Sequence, residues 1–147
     1  MRRNRHLAPL TLLALLGLLV LPACLPGSIA FLRNVDGQTW AARFDVAVGP
    51  TGGPTVRFPV DLTLNFRQTG ADVTADASLE YNSPLLRLQT DGLIALTGRV
   101  GFDDRLDLES RSGLLTFEGR FVRNRLIGTV AIAGVAPVGD VEFVRVR

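Results

Sequence analysis

From Val56 to Gln68 the chain alternates strictly. Val56, Phe58, Val60, Leu62, Leu64 and Phe66 fall on one face, and Arg57, Pro59, Asp61, Thr63, Asn65 and Arg67 fall on the other. Side chains alternate across a β-strand with period two, so this segment builds one apolar and one polar face. A helix of the same composition would scatter both kinds around its axis. Pro59 donates no N–H and marks an edge, a bulge or a bend.

The same period recurs along the chain. Trp40, Ala42, Phe44, Val46 and Val48 share a face, and so do Ala71, Val73, Ala75, Ala77, Leu79 and Tyr81. Later come Ile94, Leu96, Gly98, Val100 and Phe102, then Leu115, Phe117, Gly119 and Phe121, then Leu126, Gly128, Val130 and Ile132. Turn chemistry separates these runs at Thr69-Gly70, Asn82-Ser83-Pro84, Asp91-Gly92, Asp103-Asp104, Ser112-Gly113 and Arg123-Asn124. The Gly/Pro-rich stretches Gly49 to Thr55 and Gly134 to Gly139 read as true loops. Short hairpins make sequential neighbours antiparallel. The expected fold is all-β: an antiparallel up-and-down meander of eight or nine strands, closing into a small barrel because closure removes exposed edges.

The N-terminus has a different character. Arg2, Arg3 and Arg5 precede an apolar run from Leu7 to Leu21, and Pro22-Ala23-Cys24 follows. Basic start, apolar run and small residue are the order of a secretory signal helix. At about fifteen residues the run is short for a permanent spanning helix, which needs about twenty. Leu21-Pro22-Ala23-Cys24 resembles the lipobox of bacterial lipoproteins. Leu21 and Ala23 match it, and Pro22 departs from its usual middle residue. The resemblance implies diacylglycerol on Cys24 and cleavage before it. Residue 25 is Leu, not the Asp that resembles an inner-membrane retention signal. The expected organisation is a signal peptide over 1–23, a tether over 24–37 and a barrel domain over 38–147. Ile29 to Leu32 is apolar enough to pack on the domain as a short extra strand or turn. The expected location is the cell envelope, at the outer membrane if the organism has one.

Gly37-Gln-Thr-Trp40, the antiparallel meander and the glycine-studded second half resemble the lipocalin and avidin-like barrels. The likeness covers roughly residues 37–147 and implies no particular ligand. Alternation alone does not say which face points inward, since a membrane-spanning barrel turns its apolar face to lipid. With one Trp and one Tyr in the chain there are no aromatic girdles, and lipid on Cys24 would be redundant in an embedded barrel. The apolar face is therefore expected inside. Its bulky members then either interdigitate with the small ones or line a dry cavity for an apolar ligand such as an acyl chain. The candidate lining residues are Trp40, Phe44, Phe58, Leu62, Phe66, Phe102, Phe117 and Phe121. Trp40 would either line the pocket or close the barrel floor.

Composition argues against other classes. Every cation is Arg, and the whole chain carries a net charge of +2. Cleavage before Cys24 removes three of the sixteen arginines and no carboxylate, leaving 13 against 14, so no charge excess remains for nucleic acid. The single His6 and single Cys24 both lie in the N-terminal segment. The body thus lacks a His base, a Cys nucleophile and Cys/His zinc ligands. Asp103-Asp104 reads as turn chemistry. Asp72, Asp76 and Glu80 read as a solvated strand face, without the repeat of a calcium loop. Arg99, Arg120, Arg123 and Arg125 are expected to pair across strands with Asp107, Glu109 and Glu118. Gly49-Pro-Thr-Gly-Gly53 lacks the lysine and helix of a phosphate loop. The expectation is a non-enzymatic module with no cofactor and no metal. It is held to a membrane through Cys24 and binds an apolar small molecule or an envelope protein. The alternative is a structural or assembly protein of the envelope, with a filled barrel that works through its outer surface.

Overall fold

The structure, a computed structural model, describes residues 32–50, 53–81 and 92–147. The expected signal segment over 1–23, Cys24 and the expected turn at Asn82-Ser83-Pro84 lie outside the described residues. Eight strands follow one another: β1 (Thr39–Val48), β2 (Val56–Thr69), β3 (Asp72–Tyr81), β4 (Ile94–Val100), β5 (Arg105–Ser110), β6 (Leu115–Val122), β7 (Arg125–Ile132) and β8 (Val138–Arg145). Each pairs antiparallel with the next, and β8 returns to β1, so the meander closes into a barrel. No helix occurs among the described residues.

The turns fall where chain chemistry permits them. Thr69 pairs with Asp72, leaving Gly70 and Ala71 as a two-residue hairpin turn. Val122 pairs with Arg125, leaving Arg123 and Asn124. Arg123 sits there at φ 55°, a left-handed conformation that costs a residue with a Cβ about 1–2 kcal/mol. The β7–β8 connection is shorter than the Gly134–Gly139 loop expected, because β8 already begins at Val138. Gly128 faces Val141 while Val130 faces Val138, so β8 carries one residue more than β7 over this stretch. Asp140, at φ 55°, accommodates the extra residue in a β-bulge.

Closure is short in register. The β1–β2 ladder runs from Thr39–Asn65 to Val48–Val56, whereas β1 and β8 pair only through Trp40–Arg145 and Ala41–Val144. The chain ends extend the seam. Val146 N–H donates to the Thr39 carbonyl at 2.8 Å, and Thr39 N–H donates to the Arg147 carbonyl at 3.0 Å.

The apolar face turns inward. Val46, Val60, Leu62, Leu64, Phe66, Leu96, Leu106, Phe117, Leu126 and Phe143 are buried in one continuous core. The outward face carries ion pairs such as Arg99–Asp72 at 2.9 Å and Arg125–Glu142 at 2.8 Å. Arg99 and Arg125 pair across strands, but with Asp72 and Glu142 and not with the expected Asp107, Glu109 or Glu118, and Arg120 and Arg123 form no ion pair among the described residues. Asp107 and Glu118 both face Arg105, at 3.0 and 3.7 Å. Charges on that face would be costly against lipid, so this polarity fits a barrel that excludes water from its centre.

Three glycines on the inward rows could in principle leave room in the barrel. They do not. A Cβ on Gly98 would lie 1.8 Å from the Asp107 carbonyl oxygen of β5. One on Gly119 would lie 2.4 Å from the Phe117 ring and 2.6 Å from the Ile127 carbonyl. Gly119 and Gly128 face each other across β6 and β7. The missing side chains let neighbouring backbones approach, and the Phe117 ring covers the gap, as in strongly coiled small barrels.

Candidate functional site

Of the eight residues that the alternation marks as inner, six are buried: Trp40, Phe58, Leu62, Phe66, Phe117 and Phe121. Phe44 is half-buried and packs against the same core. Phe102 is not inside. It follows the end of β4, in the Gly101–Asp104 turn, and is 68 % exposed. The apolar alternation runs two residues beyond β4, past the point where Gly101 N–H bonds the Arg105 carbonyl and the chain reverses. A further aromatic, Phe143, lies wholly within the core. Its only sequence signal is the short Val141-x-Phe143 alternation, which the preceding bulge separates from the rest of β8.

These rings meet each other. Trp40 packs edge-on against Phe121 with centroids 5.5 Å apart, and Phe117 against Phe143 at 5.3 Å. Both separations are those of favourable edge-to-face pairs. Trp40 lies near the end of the barrel where β1 begins, its Nε1–H donating to the Gln38 side-chain oxygen at 3.1 Å. The Arg33 guanidinium lies 4.8 Å from the Phe121 ring centre. It also pairs with Asp104 at 3.0 Å and donates to the Arg123 carbonyl at 3.2 Å.

The segment leading into β1 therefore belongs to the barrel rather than to a solvated tether. Val35 is fully buried. Its N–H donates to the Gln68 side-chain oxygen at 2.7 Å, while Gln68 Nε2–H donates to the carbonyls of Arg33 at 3.0 Å and Gly70 at 2.8 Å. Gly37 N–H reaches the Phe66 carbonyl at 3.0 Å. One glutamine side chain thus satisfies backbone groups on both sides of the crossing, which buried peptide groups require.

The polar groups have local tasks. The Asp103 carboxylate accepts from the Arg105 N–H at 3.2 Å, a turn-capping bond. Asp104 occupies φ 62° and holds Arg33. Asp72 and Asp76 of β3 each face an arginine on a neighbouring strand, Arg99 and Arg67. Among the described residues no group of three or more His, Cys, Asp and Glu side chains is placed to hold a metal ion. Arg105 is held above its ordinary pKa, first by its hydrogen bond to Asp107 and then by that carboxylate's charge, with smaller help from Glu118 and Asp103. Ser110, the only buried polar residue among those described, accepts the Leu115 N–H at 3.0 Å and so closes the β5–β6 turn.

Two clefts of about 500 Å³ open from the outside. One lies over Gly98 and is edged by Arg99, Asp107, Glu109 and Glu118. The other lies at the end where β1 begins, between Arg33, Trp40, Asn124, Val144 and Val146. No family model, no curated protein and no solved structure matches the chain.

Proposed function

We propose that the protein is an exported lipoprotein, acylated at Cys24, whose barrel is a non-catalytic platform that works through its outer surface at the cell envelope. The observation that supports this reading is the burial of the large inward side chains in one core. Trp40, Phe66, Phe117 and Phe143 occupy the space that an apolar ligand would need, and the inward glycines are met by backbone or ring atoms. Lipocalin-like barrels share the eight-stranded up-and-down plan, and those that hold a ligand keep a chamber for it. The anchor rests on Leu21-Pro22-Ala23-Cys24 following the basic and apolar run. Two or more acyl chains suffice for stable attachment, whereas one gives only marginal binding.

The test has two arms. Cells fed radioactive palmitate should label the wild-type chain and not Cys24→Ser, and the variant should leave the membrane fraction; equal labelling of both would end the anchor reading. Lipid extracted from the detergent-free Cys24→Ser protein should be far below one molecule per barrel. A stoichiometric apolar ligand would return the interior to the role of a binding site.

A further inference from the structure

Six large apolar side chains are exposed among the described residues, and four of them lie at one end of the barrel. Phe102 projects from the β4–β5 turn. Val122 precedes the β6–β7 turn at 43 % exposure, and Val144 and Val146 stand near the end of β8 at 49 % and 58 %. Arg125 lies between Val122 and Val144 in register, so these three form one outward row. The other two, Val56 and Leu93, sit at the opposite end.

Among the described residues, three arginines at the same end make no ion pair with a side-chain carboxylate. Asp104 is taken by Arg33 and Asp72 by Arg99. Asp36 and Asp103 accept the backbone N–H groups of Gln68 and Arg105 and keep their negative charge at this end. Arg123, Arg145 and Arg147 are exposed and have no side-chain carboxylate partner among the described residues, and Arg145 Nε–H donates to the Arg147 main-chain oxygen at 3.1 Å. Arg123 even holds a left-handed turn position that glycine would occupy without strain.

This is also the end at which the chain enters the domain, since Arg33 bonds to both the β4–β5 and β6–β7 turns. Seven residues lie between Cys24 and Leu32, a reach of at most about 29 Å over eight steps. An acylated Cys24 thus tethers the domain to the bilayer at that end.

We propose that this end is a membrane-docking face, resting on the reading that Cys24 is acylated. Phe102, Val122, Val144 and Val146 enter the interfacial layer, and Arg123, Arg145 and Arg147 meet the phosphates of anionic phospholipids. Aromatic and aliphatic groups ringed by cations suit such an interface. Each arginine beside an anionic leaflet favours contact by roughly fivefold, so three give about 100-fold.

The acylated full-length protein is reconstituted into vesicles of phosphatidylcholine alone or with phosphatidylglycerol, and amide hydrogen exchange is followed by mass spectrometry. Amides of residues 101–105 and 122–125 should exchange at least tenfold more slowly on the anionic vesicles. The turns at 111–114 and 133–135, at the far end, should not change. The variant R123Q/R145Q/R147Q should lose the difference, and F102S should weaken it; far-end exchange reports whether each variant remains folded. If the protein's mass shows no lipid on Cys24, the anchor reading and this proposal fall together. If lipid is present and both ends exchange alike on both vesicles, docking alone is overturned.

Discussion

Phe143→Ala separates a filled barrel from a hollow one. Phe143 is fully buried, and its ring lies 5.3 Å from that of Phe117 at an interplanar angle of 78°. Deleting a ring from a close-packed core loses its transfer free energy and leaves a void, at a combined cost of about 3–5 kcal/mol. Of that, about 0.5–1.5 kcal/mol belongs to the edge-to-face pair. Small domains have about 5–15 kcal/mol in total, so the variant should lose a large part of its stability. At about 4 °C per kcal/mol, the melting temperature should fall by roughly 12–20 °C. Urea unfolding of both proteins, at constant m-value, measures the difference directly. A double-mutant cycle with Phe117→Ala should return a coupling near the pair energy. Benzene should raise the melting temperature of the variant and leave the wild type unmoved, because a new apolar hole binds a small aromatic. A loss below about 1 kcal/mol would mean that the ring borders empty space. The case for a filled interior would then fail, and with it the preference for the outer surface.

Two further substitutions probe how the barrel closes. Gly98→Ala places a Cβ against the Asp107 carbonyl of the neighbouring backbone, which has no flexible end to move; β4 and β5 should separate locally at a cost of about 1–3 kcal/mol, seen as faster exchange at Leu96 to Val100. A wild-type exchange pattern there would show that the two strands are not in such close approach. Gln68→Ala removes three hydrogen bonds that pin Val35, Arg33 and Gly70. At about 0.5–1.5 kcal/mol each it should cost roughly 2–4 kcal/mol and free the Val35 amide to exchange, while the midpoint of the core strands shifts with it; an unchanged Val35 amide would mean that the crossing is held by other contacts.

Strand identity was legible because the period-two signal is local. Each of β1, β2 and β3 has at least four alternating apolar residues, enough to distinguish a strand from a helix without any partner. Turn positions were legible for the same reason at Gly70, Asp103-Asp104 and Arg123-Asn124. The signal ran out at ends of runs. Phe102 continues the inward pattern of β4 on paper, yet the chain turns at Gly101, and nothing in one strand records where its partner stops. The leader into β1 has no local signal of its packing, because its residues are few and mixed and its partner Gln68 lies more than thirty positions away.

Sequence alone settled the extended, alternating character of the segments, their short connections and the sense in which neighbours pair, since each depends on a few adjacent residues. Tertiary structure decided how the inner side chains pack. That outcome depends on which side chains oppose which glycines across strands, as when the Phe117 ring covers Gly119 and meets Phe143. It also decided which exposed apolar and cationic residues share one end. Register and closure bring those residues together from β4, β6, β8 and the leader, and no local pattern encodes a neighbour so distant along the chain.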